Sequence, residues 1–445
     1  MSTSRQLHFN LFLHDTGHHE ASWRLPEADP HALLDLAYHQ RLARIAEDAK
    51  FDSLFLADSP ALFGEIGRRP QGGIEPTILL TALAVTTSRI GLIATASTSY
   101  NEPYNLARRL SSVDWVSAGR AGWNIVTTAG EAAARNFGLE DQPLHRARYA
   151  RADEFLEVAT KLWDSWEDDA IIADKESGVH TRADRVHAIG HRGEYFSVEG
   201  PLNSPRSPQA HPLLVQAGSS ASGKAFAARW AEAIFTAQPT IEEAQAFYAD
   251  VKRAAIANGR APESLKVLPG LVPVIGETEA EAREIEAELD RLISAEFALA
   301  QLEKLLRLEP GDLALDRPLP RDLPSEDEIE GAKSRYTLIV DLARRENLTA
   351  RELIGRLGGG RGHRTFTGTP VQVADTIQHW FEHGAADGFN IMPAVLPSGL
   401  EVFVERVVPI LQERGLFRTE YTGTTLREHY GLARPANRRE LAAVG

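Results

Sequence analysis

Apolar positions fall into short runs separated by amphipathic stretches. Leu7–Leu13 reads as a first strand, and His31–Lys50 as a helix with apolar residues at Leu33, Leu34, Leu36, Ala37, Leu42, Ile45 and Ala46. The alternation continues with Ser53–Ala57, Ile90–Ala96 and Gly122–Thr127 as strands, and Pro76–Thr86, Tyr104–Ser117 and Ala152–Trp166 as helices. Leu213–Ala217, Ala233–Thr236, Val267–Ile275 and Gly388–Met392 complete the strands. Ser222–Trp230, Thr240–Asn258 and Pro370–His383 complete the helices, with Thr240 as an N-cap. Strands alternating with helices predict a parallel sheet covered by helices. The eight strand candidates are the number a closed (β/α)₈ barrel needs, although an open doubly wound sheet could use the same elements.

Two stretches break the rhythm. Residues 167–212 are polar and rich in glycine and proline, and read as a long loop with room for a hairpin. Residues 277–365 hold a charged helix over Thr278–Leu308, a proline-rich stretch from Pro310 to Pro324, another helix and the run Gly358-Gly-Gly-Arg-Gly362. They read as a long insertion late in the fold. The end, 418–445, is polar and arginine-rich and reads as a terminal arm, packed on a neighbouring subunit or disordered.

Composition narrows the chemistry. The chain has 445 residues, a formal net charge of −14 and no cysteine. An acidic balance argues against nucleic acid or an anionic membrane as partner. The missing cysteines exclude disulfides, thiolate metal sites and a cysteine nucleophile. The first residues lack the pattern of a secretory signal, and no apolar run reaches spanning length, so a cytoplasmic protein is expected.

The sharpest local signal is Leu213-Leu-Val-Gln-Ala-Gly-Ser-Ser220, a strand that turns into a helix through glycine and serine. Such a turn presents free N–H groups and the positive end of the helix dipole. Gly218 to Lys224 fits G-x-x-x-x-G-K, but Ala225 stands where a nucleotide-hydrolysing loop needs Ser or Thr. A phosphate site of another kind and an ordinary helix cap both remain open. His145 and Tyr149 lie four apart and share a face if their segment is helical. Asp58, Thr95 and Asn124 stand at or near strand C-termini, where barrels carry their sites. His18, His19 and Glu20 lack the spacing of a metal site, so no metal is expected.

The segments GHHEASWR, ATASTSYNEPY, GRAGWNIVTT, ARNFG with HRARY, LWDSWEDDA, HRGEYFSVEGPLNSPRSPQAHPLLVQAGSS and DGFNIMP occur in this order from about residue 6 to 432. Together they closely resemble the nitrilotriacetate and dibenzothiophene-sulfone monooxygenases, a family of bacterial luciferase-like flavoproteins. The resemblance implies a single TIM-barrel domain over 1–445, and a two-component monooxygenase that uses reduced FMN (FMNH₂) and O₂. It implies a C4a-hydroperoxyflavin and a separate NAD(P)H:FMN reductase as supplier. The substrate would be a small organic molecule oxidised at a C–N, C–S or C–H bond. Flavin contacts would fall on Asp58, Thr95, Asn124, His145, Tyr149, Ser219 and Ser220. Residues 277–365 would form a lid, and the chain would pair as a homodimer or homotetramer. His18 and His19 lie where related enzymes often carry a cysteine, and His363 follows the lid's glycines. These three are the catalytic candidates, and the catalytic residue itself is left unassigned. A deazaflavin-dependent oxidoreductase and a noncatalytic FMN-binding protein of the same fold are the competing readings.

Overall fold

The computed structural model describes residues 5–62, 66–67, 70–218, 220–325, 333–360 and 362–439. Eight parallel strands close on themselves: β1 (His8–Leu13), β2 (Ser53–Leu56), β3 (Gly91–Ser97), β4 (Ala121–Val126), β5 (Leu213–Ala217), β6 (Ala233–Thr236), β7 (Lys266–Ile275) and β8 (Gly388–Ile391). Pairing runs in chain order, β6 hydrogen-bonds β7, and β8 returns to β1 with Asn10 opposite Asn390. All eight predicted strands are barrel staves, and closure of the ring excludes the open sheet.

Each strand is followed by a helix: α1 (Leu36–Asp48), α2 (Pro76–Ala84), α3 (Pro103–Val116), α4 (His145–Trp163), α5 (Ala221–Trp230), α6 (Ile241–Ala257), α7 (Pro370–Glu382) and a composite α8. The apolar stripe of α4, with Ala152, Phe155, Leu156, Ala159 and Leu162 buried, explains its lie against the barrel. Thr369 and Gln372 form a capping box that starts α7, with Pro370 in its first turn. In α8, Ser398–Val402 passes through a π turn at Phe403–Val407 into Val408–Glu413. Pro409 lies just past that turn, and a proline cannot complete the ordinary helical hydrogen bond.

Some boundaries differ from the sequence reading. α1 begins at Leu36 because Asp35 caps it, its side chain accepting from the N–H of Ala37; the residues before it form a 3₁₀ turn. Residues 167–212 hold two short hairpins, Ile171–Asp174 with Val179–Thr181 and His191–Arg192 with Ser197–Val198. The charged helix in the insertion is two helices, Glu279–Arg291 and Ala295–Leu306, followed by Lys333–Glu346 and Ala350–Gly360. Leu302, Leu306, Tyr336, Ile339, Leu353 and Ile354 give these helices a small core of their own. Gly358 lies in the last turn of a helix, not in a loop. A Cβ there would stand 2.4 Å from Ile293 Cδ1, so its role is close packing. Arg364–Gly368, for which the residue pattern predicts no element, is a further strand pairing parallel with Leu271–Ile275 of β7.

Alternation decides what fills the barrel. Leu7 just before β1, and Phe9, Leu11 and Leu13 on it, pack outward in the largest core cluster, while Phe12 joins the interior cluster with Phe55, Ile93, Val215, Phe235, Leu268 and Met392. At the N-terminal end the filling comes from the C-terminal arm. Leu426 and Tyr430 are fully buried there, and a Cβ on Gly91 would lie 2.3 Å from Leu426 Cδ1. Tyr430 donates to Asn10 Oδ1 (2.7 Å) and stacks on His8 (4.9 Å, 6°). The described part of the arm is therefore committed to its own barrel. Arg427 grips Glu232 with two hydrogen bonds, and Arg418 meets the buried Asp52 at 2.6 Å. Arg434 and Arg206 both hold Asp168.

Asp114, at the C-terminal end of α3, is buried and pushed up to about 6 by its loss of water. Hydrogen bonds from Ala121 N–H and Gln209 oppose that rise only in part. The folded state thus keeps a proton that the unfolded chain releases near pH 4. Stability from this group falls as pH rises from about 4 to about 6, by roughly 3 kcal/mol, and is level above that window. We expect Asp114→Asn to gain stability relative to wild type by about 2 kcal/mol between pH 4.5 and 7.5, because at pH 4.5 the unfolded carboxyl is already mostly ionised. Urea unfolding at the two pH values checks this; an unchanged difference would mean that the carboxyl is ionised in the fold.

Candidate active site

The C-terminal mouth of the barrel has an aromatic floor. Phe12, Phe55 and Phe235 meet edge-on or tilted at 5.0–5.4 Å between centroids. The fourth ring is His363, delivered by the end of the insertion and stacked on Phe235 at 4.8 Å and 14°. It fits because β7 carries Gly270 at that level: a Cβ there would lie 2.4 Å from His363 Nδ1 and 2.7 Å from Met392 Sδ.

On one wall Asn124 of β4 donates to Thr95 Oγ1 of β3 (2.8 Å), which sits beside it in register. Asn124 Oδ1 is buried without a protein partner, an acceptor that a bound molecule would satisfy. One turn higher, Thr128 bonds Ser97 Oγ at 2.8 Å. These hydroxyls and the amide are neutral and face inward from strand ends.

Next to this wall α5 begins. Ser220 is its N-cap, accepting from Gly223 N–H (3.1 Å). The segment HRARY is helical, as the shared-face reading required, and the His145 and Tyr149 rings lie 4.9 Å apart. The Tyr149 hydroxyl hydrogen-bonds Ser220 and Thr127, and burial raises its pKa, so the phenol stays a protonated donor. Gly218 and Gly223 keep the turn narrow. A Cβ on Gly223 would be 3.1 Å from the Tyr149 oxygen, and one on Gly218 2.5 Å from Gln216 Nε2. Lys224 points elsewhere, into an ion pair with Asp250 on α6, so the lysine that a nucleotide-hydrolysing loop would use is absent from the turn. Ser219 lies outside the described residues.

The remaining candidates divide. Asp58 is exposed on the rim, two residues beyond β2. His18 is buried and donates from Nε2 to the carbonyl of Phe12 (2.9 Å), its ring edge-on to Phe12. His19 accepts from Ala21 N–H at Nδ1, so Nε2 carries the proton toward Asp290 of the insertion, 3.3 Å away. With Glu20 N–H bonded to Gly358 O, and Arg24 to Leu292 O, His19 ties the loop after β1 to the insertion. The structure thus brings Thr95, Asn124, Tyr149, Ser220 and His363 to one mouth. Sequence reasoning missed His14, Phe235 and Gly270 there. The inward alternation of β1 was the available signal for His14, but Gly270 has meaning only once its neighbour is known. Among the described residues no group of three His, Asp or Glu is placed to hold a metal ion, and no helix is long and apolar enough to cross a membrane.

Residues 8–387 match the model of the luciferase-like monooxygenase family. The chain is 49% identical over 438 residues to N-acetyl-S-(2-succino)cysteine monooxygenase of Bacillus subtilis (strain 168), covering 98% of this chain and 99% of that protein. It is 47% identical over 450 residues to nitrilotriacetate monooxygenase component A of Aminobacter aminovorans, covering 98% and 99%. Among solved structures, a riboflavin lyase with modified FMN and riboflavin superposes with a TM-score of 0.85 at 33% identity, covering 97% of each chain.

The His363 socket has a direct consequence. Gly270→Ala should displace the imidazole and cost about 1–3 kcal/mol, the usual penalty for overpacking. Denaturant unfolding measures the cost. The upfield ring-current shift that Phe235 imposes on the His363 protons should collapse in the same variant; retention of that shift at full stability would show that the imidazole keeps its place without a glycine at 270.

Proposed function

This chain belongs to the luciferase-like monooxygenase family and is a monooxygenase, and from that membership we propose that it oxygenates a small organic substrate with FMN supplied in reduced form by a separate NAD(P)H:FMN reductase. The observation that carries the cofactor assignment is the pairing of two unlike features at one mouth. A neutral wall, Thr95 and Asn124, has an unsatisfied buried amide oxygen, and it stands beside a glycine-lined helix start with a phenol donor. The first suits the carbonyl and N–H edge of a flavin ring, the second its terminal phosphate. A solved structure at 33% identity holds a modified FMN, which supports the same reading.

In this reading Ser219, Ser220, Tyr149 and the N–H groups of α5 bind the phosphate, with His145 beside Tyr149 at the helix start. Thr95 and Asn124 hold the ring edge, and Asp58 lines the rim. Reduced FMN, when bound, would supply two of the four electrons that reduce dioxygen, the substrate supplying the other two. The protein's work is orientation and exclusion of water. Phe12, Phe55 and Phe235 make the floor dry, and His363 brings the insertion 277–365 over it as a cover, tied down at His19 and Arg24. Two relatives are named for N-acetyl-S-(2-succino)cysteine and nitrilotriacetate, so the substrate class proposed is a small carboxylate with an oxidisable carbon next to sulfur or nitrogen. Ile78 on α2, Val85 just past it, and Trp115 and Val116 on α3 are exposed apolar residues, which supports assembly as a homodimer or homotetramer; the proposal also places the protein in the cytoplasm, and light scattering of the purified protein checks the assembly.

The decisive test supplies reduced FMN from a generic reductase in air, with these two carboxylates as probes, and follows oxygen-dependent product by mass spectrometry. Cofactor reduction without oxygen uptake would point instead to a deazaflavin enzyme. Tight FMN binding with no turnover of any probe would point to a binding protein. At the phosphate end, Ser220→Asp sets a negative charge against the phosphate and should weaken FMN binding at least tenfold, about 1.4 kcal/mol. Calorimetry with FMN decides, and an unchanged affinity would move the phosphate away from α5.

A further inference from the structure

The inward side of β1 is occupied in turn by Asn10 and Phe12, and the same alternation makes His14 the next residue to face the mouth. Its imidazole stands 5.1 Å from the His18 ring and 6.3 Å from Phe12, just above the aromatic floor. Its Nδ1 lies 3.2 Å from Asp15 Oδ2, with both side chains about one-fifth exposed. The loop that carries the pair is fixed from several sides. Gly17 N–H returns to His14 O, Leu396 N–H bonds Thr16 O, His18 N–H bonds Pro393 O, and the Tyr38 hydroxyl reaches Asp15 O. Asp15 itself is held at φ +43°, a left-handed backbone that a non-glycine residue adopts at a cost and that collects at functional sites. Other histidines of the chain serve packing: His8 sits on the buried Asp52, and His211 on the buried Asp164.

Resting on the monooxygenase reading above, we propose that His14 is the proton-transferring catalytic residue of the reaction and that Asp15 is its positioning residue. Overall, reduced FMN, dioxygen and substrate R–H give oxidised FMN, R–OH and water. As the O–O bond of dioxygen breaks, one oxygen forms the new bond to carbon, the C–H bond it replaces leaves its hydrogen on the new hydroxyl, and the other oxygen leaves as water, which takes up two protons. The His14 imidazolium gives one to the departing oxygen. It recovers that proton from the two that the reduced cofactor releases on oxidation, so neither protons nor electrons are left over. Asp15 holds the ring toward the mouth and favours its charged form, as a carboxylate does beside an imidazole. The groups facing the ring include Asp15 and His18 on the same loop, with Tyr38 of α1 behind Asp15.

The first readout is independent of which substrate the enzyme takes. In protein labelled with ¹⁵N-histidine, the His14 signals are assigned by their loss in His14→Gln and titrated in wild type and in Asp15→Asn. Oxidised FMN is then added to the wild type. Asp15→Asn should lower the His14 midpoint, and FMN should shift its signals. If neither change moves them, the assignment is overturned. With reduced FMN and N-acetyl-S-(2-succino)cysteine as probe, His14→Gln should divert consumed oxygen to hydrogen peroxide and lower product per flavin oxidised by at least about tenfold. In Asp15→Asn the acid limb of coupling against pH should move with the His14 midpoint. Full coupling in His14→Gln also overturns the proposal. Wild type that binds FMN and shows the His14 shifts, yet oxygenates no probe, would fail the monooxygenase reading and not this placement of His14.

Discussion

The barrel depends on a constraint of space: its own inward residues do not fill it. Gly91 and Gly122 leave room at the N-terminal end, and Leu426 of the arm takes it. Gly270 leaves room at the other end, and His363 takes that. A parallel barrel normally packs its interior with branched side chains from its own strands. Here two distant segments supply part of the filling, so the interior is completed by the arm at one end and by His363 at the other. Water cannot reach the floor of the mouth from below, because Tyr430 and Leu426 close that end.

Electrostatics follow from the same closure. The arm could not enter without its arginines finding carboxylates, and they do: Arg418 on Asp52, Arg427 on Glu232, Arg434 on Asp168. Asp52 is fully buried, and its neighbours Arg418 and His8 and the N–H of Phe9 hold its pKa below the ordinary carboxylate value against the opposing effect of burial. Removing one partner of such a cluster leaves a bare charge in the interior, which is far more costly than losing an exposed pair. The mouth is built differently. Arg148 and Arg151 near it are turned onto backbone carbonyls, Thr127 and Pro143 for one, Thr98 and Asn101 for the other. The inward wall is left to neutral donors and acceptors, the groups that suit a polar ring of low charge.

The insertion joins the site by two routes. One is mechanical: His19 to Asp290 and Glu20 to Gly358 bind it to the loop that also carries His14 and His18. The other is direct, through His363 in its socket. The four helices have a core of their own, and the segment after them reaches the mouth through His363.

Periodicity alone located all eight staves, because a strand buried on both faces must be a short apolar run and its covering helix must be amphipathic. The glycine–serine turn before α5 and the strand-end positions of Thr95 and Asn124 were legible for a similar reason: helix starts and strand ends are local features with local chemistry. The strand Arg364–Gly368 was not legible, because its half-buried residues show no clear alternation and only its pairing with β7 defines it. Nor could the sequence say where the arginine-rich arm goes, which glycine makes room for which ring, or that His19 faces the insertion while His14 lies beside the floor. Those outcomes are set by contacts between residues far apart in the chain, and a residue's neighbours across a closed barrel leave no mark on the spacing of its own segment.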